Sequence, residues 1–355
     1  MSNRNRIVTA TAAFPILLTA AACLAPARLN AQAPASAPSA KAYRAPRLPD
    51  GKPDFSGVWS YNTATPFERP DRFKGREFLR PDEVEAVEKN RRRNDDDRVK
   101  GAPCVVFITN SNCAASVGGP QGGPGGVGDY NAVFLEGDKS KVVATLRTSI
   151  LVDPKNGKMP PMTPEARAKA AAAKAYQLEH PFDGPENLTL FDRCLTGRAP
   201  PYRSGAYNNQ LHIVQSPNHV AMTQEHMHDT RVIPVNGQPH GTVGQWMGDA
   251  VGHYEGDTLV VETTGFNGRR GSPWGKRDPD KMNVTERWTR TAEDILLYQF
   301  TVDDPQNLTA PYSGEMTMRP SEHPVYEYGC HEGNYSLPLI LSGARAEERA
   351  AAAKK

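Results

Sequence analysis

Residues 225–266 read EHMHDTRVIPVNGQPHGTVGQWMGDAVGHYEGDTLVVETTGF. Its second half decides the fold class. TLVVETT (258–264) is rich in β-branched residues, and GHY (252–254) precedes it across Glu255-Gly256-Asp257, a tight-turn sequence. The whole stretch reads as three strands joined by short turns, with polar residues where a buried face would be. It holds four of the nine histidines, His226, His228, His240 and His253, and one of the four tryptophans, Trp246.

Working outward, the same pattern repeats. LHIVQS (211–216) and HVAMTQ (219–224) flank Pro217-Asn218, and VTERWTR (284–290) and ILLYQFTV (295–302) flank 291–294. Upstream, YNAVFL (130–135), VVATLR (142–147) and SILVDP (149–154) are separated by turn residues. Evenly spaced short strands predict an antiparallel meander. Helices are expected at 81–93, with Pro81 in the first turn and basic residues at the end, from the Thr163 cap to about Gln177, and in the tail from Glu332. With 38% apolar and 23% charged residues the chain has ordinary globular composition, and its 31 Pro and 30 Gly favour turns over long helices. A net charge of only +2 gives no electrostatic footprint for nucleic acid.

Arg4 and Arg6 precede an apolar run, Ile7–Leu24, and Ala31-Gln32-Ala33 fits a signal-peptidase site. We therefore expect residues 1–33 to be a signal peptide and the protein to be periplasmic or secreted. A lipoprotein at Cys23 is the alternative, against which Ala20 stands where a lipobox wants Leu. No later segment is apolar enough to span a bilayer. Pro- and Ala-rich residues 34–49 read as a disordered linker, 50–348 as one mainly-β domain with an alternative boundary near 180–205, and 349–355 as a tail. Cleavage leaves Cys104, Cys113, Cys194 and Cys330, an even set that in an exported chain suggests two disulfides. Of the three pairings, Cys104–Cys113 with Cys194–Cys330 is favoured. The longer loop would stabilise the fold by ~4–5 kcal/mol in the chain-entropy model.

Three constellations carry candidate chemistry. The first is His226-x-His228 followed by Asp229 and Arg231: if the two histidines lie in a strand, their imidazoles share a face and could hold a divalent metal, with Glu262, His253 or His240 as third ligand. The bland alternative leaves one histidine in solvent and the other in a structural hydrogen bond. On the later strands, Glu286, Trp288 and Arg290 share a face, so Glu286 and Arg290 are expected to pair beside Trp288; Asp303 and Asp304 follow. An exposed cross-strand network is the competing reading, because a one-residue slip near Glu293 would turn the set outward. His331 and Glu332, inside YEYGCHEGNY (326–335), could supply an acid and a base, or merely sit beside a disulfide and help start the last helix. No nucleophile elbow, zincin or dinucleotide fingerprint occurs, and the Gly-rich 117–129 lacks the Gly-Lys-Ser/Thr of a phosphate loop.

The Gly57-Val58-Trp59 opening resembles the first strand of lipocalin-type barrels. PDGKPDFSGVW (49–59), HDTRVIPVNGQPH (228–240), GHYEGDTLVVETTGFN (252–267), ERWTR (286–290), TVDDP (301–305) and YEYGCHEGNY (326–335) resemble the recurring blocks of a large family of uncharacterised exported bacterial proteins. The resemblance covers about 49–347. It implies an exported β-rich protein and no particular reaction; Pro338 and the 117–129 insertion depart from the usual pattern.

The expected fold is mainly β: an antiparallel meander forming a lipocalin-like or related barrel with a few peripheral helices. The leading functional expectation is a binder of a small apolar or aromatic molecule, with Leu296, Tyr298, Phe300 and Trp288 lining a cavity and Trp246, His253, Glu286 and Arg290 as further ligand contacts. The alternatives are a hydrolase or isomerase using His226, His228, Glu262, His331 and Glu332, and an envelope-associated structural protein. Cofactor and oligomeric state are left open.

Overall fold

The computed structural model describes residues 43–205, 207–267 and 281–354 apart from 100–139, with backbone only over 93–99. The expected signal peptide, Cys23, Cys104, Cys113, the Gly-rich 117–129 and the strand at 130–135 lie outside the described residues.

Among the described residues, ten strands form one antiparallel sheet, nearly closed into a barrel, and three helices accompany it. The strands are β1 (Gly57–Ser60), β2 (Leu151–Asp153), β3 (Gln210–Gln215), β4 (His219–Gln224), β5 (Thr230–Pro234), β6 (Asp249–Glu255), β7 (Thr258–Thr264), β8 (Asn283–Ala292), β9 (Ile295–Asp303) and β10 (Tyr312–Pro320). Their spatial order is β5-β4-β3-β1-β10-β9-β8-β7-β6, with β2 also paired to β10. The terminal strands β5 and β6 approach through side chains. At Gly252 an added Cβ would stand 3.1 Å from Ile233 Cγ2 and Val235 Cγ1, so glycine permits that approach.

Period-two alternation builds the core. Leu211 and Ile213, Val220 and Met222, Val284 and Trp288, and Leu296, Tyr298, Phe300 and Val302 all point inward and are buried. The β6–β7 hairpin closes through Gly256 at φ +59, a left-handed position that glycine takes without Cβ strain. Trp59 is buried and its Nε1 donates to Phe55 O at 2.8 Å, consistent with a tryptophan plugging one end.

The helices are α1 (Pro81–Val99), α2 (Pro164–Glu179) and α3 (Ser336–Ala352). Thr163 caps α2 by accepting from Ala166 N at 3.1 Å, with Pro164 in the first turn. Three local expectations are corrected. Residues 142–147 form isolated bridges and turns rather than a strand, because they cover the outer face of β10: Ala144 N donates to Thr317 Oγ1 and Arg147 pairs with Glu315. Glu332 does not start the last helix, whose first turn is instead met by Asn334 Oδ1 accepting from Leu337 N at 3.3 Å. Within the expected linker, residues 43–49 are docked, with Ala45 buried and Arg47 paired to Asp257. By contacts, Tyr43–Lys355 forms a single unit.

Candidate functional site

At the end of the barrel where β4 gives way to β5, the chain makes a 3-10 turn, His226–His228, with Met227 at φ 66 and His228 at φ 52. The shared-face geometry expected for the two imidazoles is therefore overturned. Left-handed backbone turns the ring of His226 inward and leaves His228 exposed, its Nε2 2.7 Å from Tyr326 O. Left-handed non-glycine residues cost of order 1–3 kcal/mol each and persist only where the surroundings hold them. Here Asp229 is the anchor. Its Oδ2 accepts from Thr196 Oγ1 at 2.6 Å, Gly197 N at 3.1 Å and Gln224 Nε2 at 3.1 Å.

His226 is 5% exposed and lies among Phe191, Tyr328 and Tyr207, with ring centroids 5.4, 5.3 and 6.2 Å away. Its Nδ1 is buried without a hydrogen-bond partner, and a Cβ at Gly197 would fall on the ring. Burial, reinforced by the Arg198 charge, pushes its pKa down to about 3, so the imidazole is neutral across the physiological range. Burial also raises Asp229, against the opposing hydrogen bonds from Thr196 and Gly197 N.

A disulfide, Cys194–Cys330, pins two segments over this end. It realises the expected long-range pairing, and Cys194 sits at φ 53. Beside it opens a cleft of about 300 Å³ lined by Phe191, Asp192, Asn334, Leu337, Ile340 and the two cysteines. Phe191, 41% exposed, is shared between the cleft and the His226 ring.

Inside the barrel lies a second polar group. Arg231, on β5, donates to Glu286 on β8 through Nη1 (3.2 Å) and Nη2 (2.5 Å), and to Thr263 Oγ1 on β7 at 2.9 Å. Tyr298 OH donates to Glu286 Oε1 at 2.9 Å and accepts from Tyr202 N at 3.1 Å. The ion pair is almost fully buried, with side chains 3% and 0% exposed. Burial disfavours the Arg231 charge, but Glu286 outweighs it and holds the guanidinium above its ordinary value; burial raises both Tyr202 and Tyr298. Arg231 Nε and Trp288 Nε1 are buried donors without partners.

The expected Glu286–Arg290 pair is thus corrected. Both residues do face inward with Trp288, but Arg231 reaches Glu286 from the opposite wall. Arg290 lies at the other end of the barrel, donating to Asp54 O and Glu293 O and lying 5.4 Å from the Trp59 ring. Trp288, Tyr298 and Phe300 are packed against one another and against Tyr202, as core. Glu262 is exposed on the outer face of β7, away from the histidine turn. His253 is exposed and bonds Glu255, His240 bonds Asp249 at 2.9 Å, and Trp246 is half-buried in the β5–β6 connection. Asp303 is exposed, whereas Asp304 is buried and bonds Asn307. His331 and Glu332 are exposed, though their block does meet the histidine turn through Tyr326 and Tyr328. Among the described residues no three His, Cys, Asp or Glu side chains are placed to hold a metal ion.

Sequence reading missed Gly197 and Arg198 as parts of these clusters, and it set Arg231 beside the histidines rather than opposite Glu286. Arg231 had a signal, since it alternates with inward-facing Ile233; TGRAP (196–200) carried none. Neither a comparison with protein-family models nor one with curated proteins found a match.

Proposed function

We propose that the protein is an exported binder of a small apolar or aromatic molecule, held in the cleft between α3 and the 191–194 segment. The observation that carries this reading is the cleft itself: about 300 Å³, with Phe191, Leu337 and Ile340 as its apolar lining beside the polar Asp192, Asn334 and Ser336. That size and lining suit a small molecule. Support also comes from the neutral His226 stacked on Phe191, which puts no charge behind that part of the lining. The export half of the reading rests on the signal-like N-terminus, the disulfide and the blocks that resemble exported proteins. No helix among the described residues is long and apolar enough to cross a membrane.

The test is a thermal-shift screen of apolar and aromatic compounds on the mature protein, repeated on Ile340→Asp. Ile340 is not buried, so the variant should fold. A ligand present at 100 times its Kd should stabilise the wild type by about 2.7 kcal/mol. A charge in the apolar wall is expected to weaken binding at least about tenfold, which lowers that stabilisation to about 1.4 kcal/mol at the same ligand concentration. If no compound raises Tm, or if Ile340→Asp responds like the wild type, the assignment of the cleft is wrong.

A further inference from the structure

From Ser321 to Lys354 no residue is buried. This is unusual for a segment that contains SLPLIL (336–341), an apolar run on α3. With little apolar burial, the segment depends on other ties. Ser321 N donates to Val58 O, His228 Nε2 bonds Tyr326 O, Asn334 Nδ2 donates to Asp192 O, and Arg345 donates to the carbonyls of Phe182 and Asp183. The covalent tie is Cys194–Cys330, which joins positions 136 apart. The barrel does not share this dependence: its strands end at Pro320, and its core is complete without the segment.

We propose that residues 321–354 form a strap that a dithiol releases by reducing Cys194–Cys330, with the barrel remaining folded. Three features converge on this. Both cysteines line the open cleft, so a thiolate can reach the bond. Cys330 is the less buried of the two residues, so attack is assigned to its sulfur. Cys194 sits at φ 53, a left-handed conformation that a non-glycine residue keeps only where its surroundings hold it, and the bond to Cys330 is one of those holds. The exchange balances as follows. One thiolate of the dithiol attacks Sγ of Cys330, forming a mixed disulfide and releasing Cys194 as thiolate, which takes a proton. The second thiol then displaces Cys330, leaving two protein thiols and one oxidised dithiol. Release withdraws Tyr328 from His226 and removes the α3 wall of the cleft. Release itself does not depend on the cleft having a ligand; only its effect on ligand retention rests on the function proposed above.

Chymotrypsin cleavage at Tyr328 and Tyr335, followed by mass spectrometry with and without dithiothreitol, tests the proposal on the full mature chain. Reduction is expected to speed cleavage at these sites by at least about tenfold, because a freed segment opens without global unfolding. Far-UV circular dichroism should keep its sheet signal, and the buried barrel sites Trp288, Tyr298, Phe300 and Tyr312 should stay uncut. Cys194→Ser/Cys330→Ser should behave like the reduced protein, while Cys104→Ser/Cys113→Ser should stay protected until dithiothreitol is added. Unchanged cleavage in both the reduced protein and Cys194→Ser/Cys330→Ser overturns the strap. So does loss of the sheet signal together with the strap, which would make the disulfide a staple of the whole barrel. Either result leaves the ligand screen on the oxidised protein unaffected.

Discussion

His226 shows how one side chain sets a pH dependence. Its unperturbed value is 6.5 and its folded value is about 3, lowered first by burial. Between those values the unfolded chain binds a proton that the folded chain does not. The neutral imidazole's contribution is therefore fully present above pH 6.5 and is lost as the pH falls toward 3, by about 1.4 kcal/mol per pH unit. Asp229 acts in the opposite sense. Its carboxyl is raised above 3.8 by burial, so its charged form weighs against folding and acidification relieves it just above that value. We predict that urea midpoints of the wild type drop steeply from pH 6.5 to 4.5 and that His226→Phe, which keeps a ring among Phe191, Tyr207 and Tyr328, flattens the profile. Parallel profiles would rule out His226 as the source. The sequence marked His226 as a candidate but not its geometry. The turn at Met227 and His228 is left-handed without a glycine to announce it, and the groups that hold it, Thr196 and Gly197, lie far away in the chain.

At the level of elements, the hairpins were legible because alternation and turn residues agree: Thr258–Thr264, Asn283–Ala292 and Ile295–Asp303 all lie where the pattern put them. The strand Tyr312–Pro320 was not read, although it is central. Its inward positions are Tyr312, Gly314, Met316 and Met318, and the glycine breaks the apolar alternation. Its outer face, Glu315 and Thr317, is covered by residues 144–150, so it lacks a solvent face as well. Gly314 is there because Phe300 and Ile150 O crowd the space a Cβ would need. Gly314→Ala should destabilise the protein by ~1–3 kcal/mol in urea unfolding, through overpacking. A double-mutant cycle with Phe300→Leu should show coupling of at least about 0.5 kcal/mol. Additive losses would mean that the crowding does not involve Phe300. The side of the strand that carries Glu286 was ambiguous by one residue in the sequence, and the Arg290/Ala292 irregularity beside the turn is the reason that spacing alone did not decide it.

For the molecule as a whole, the Arg231–Glu286 pair ties the open edge strand β5 to β8 across the interior. Burial makes the two halves unequal to lose. Removing one partner leaves an uncompensated charge in the core, whereas replacing both with apolar residues does not. Arg231→Met should therefore cost ~3–5 kcal/mol, and Arg231→Met/Glu286→Leu should recover most of it. A single substitution with no measurable cost in chemical denaturation would show that water reaches the pair. The pairing was latent in the sequence: Val232 faces solvent and Ile233 the core, so Arg231 must point inward and needs an acid on a facing strand. Long-range choice among several acids is what alternation does not supply.

The position of β1 between β3 and β10 has a consequence in time. The first strand of the barrel hydrogen-bonds to the last, Trp59 opposite Pro320 and Ser60 opposite Arg319. A chain that threads a channel from its N-terminus delivers β1 early and β10 only at the end. For a chain exported in that way, as proposed above, the seam beside β1 would stay unzipped until β10 has crossed, and the sheet would close on the far side of the channel.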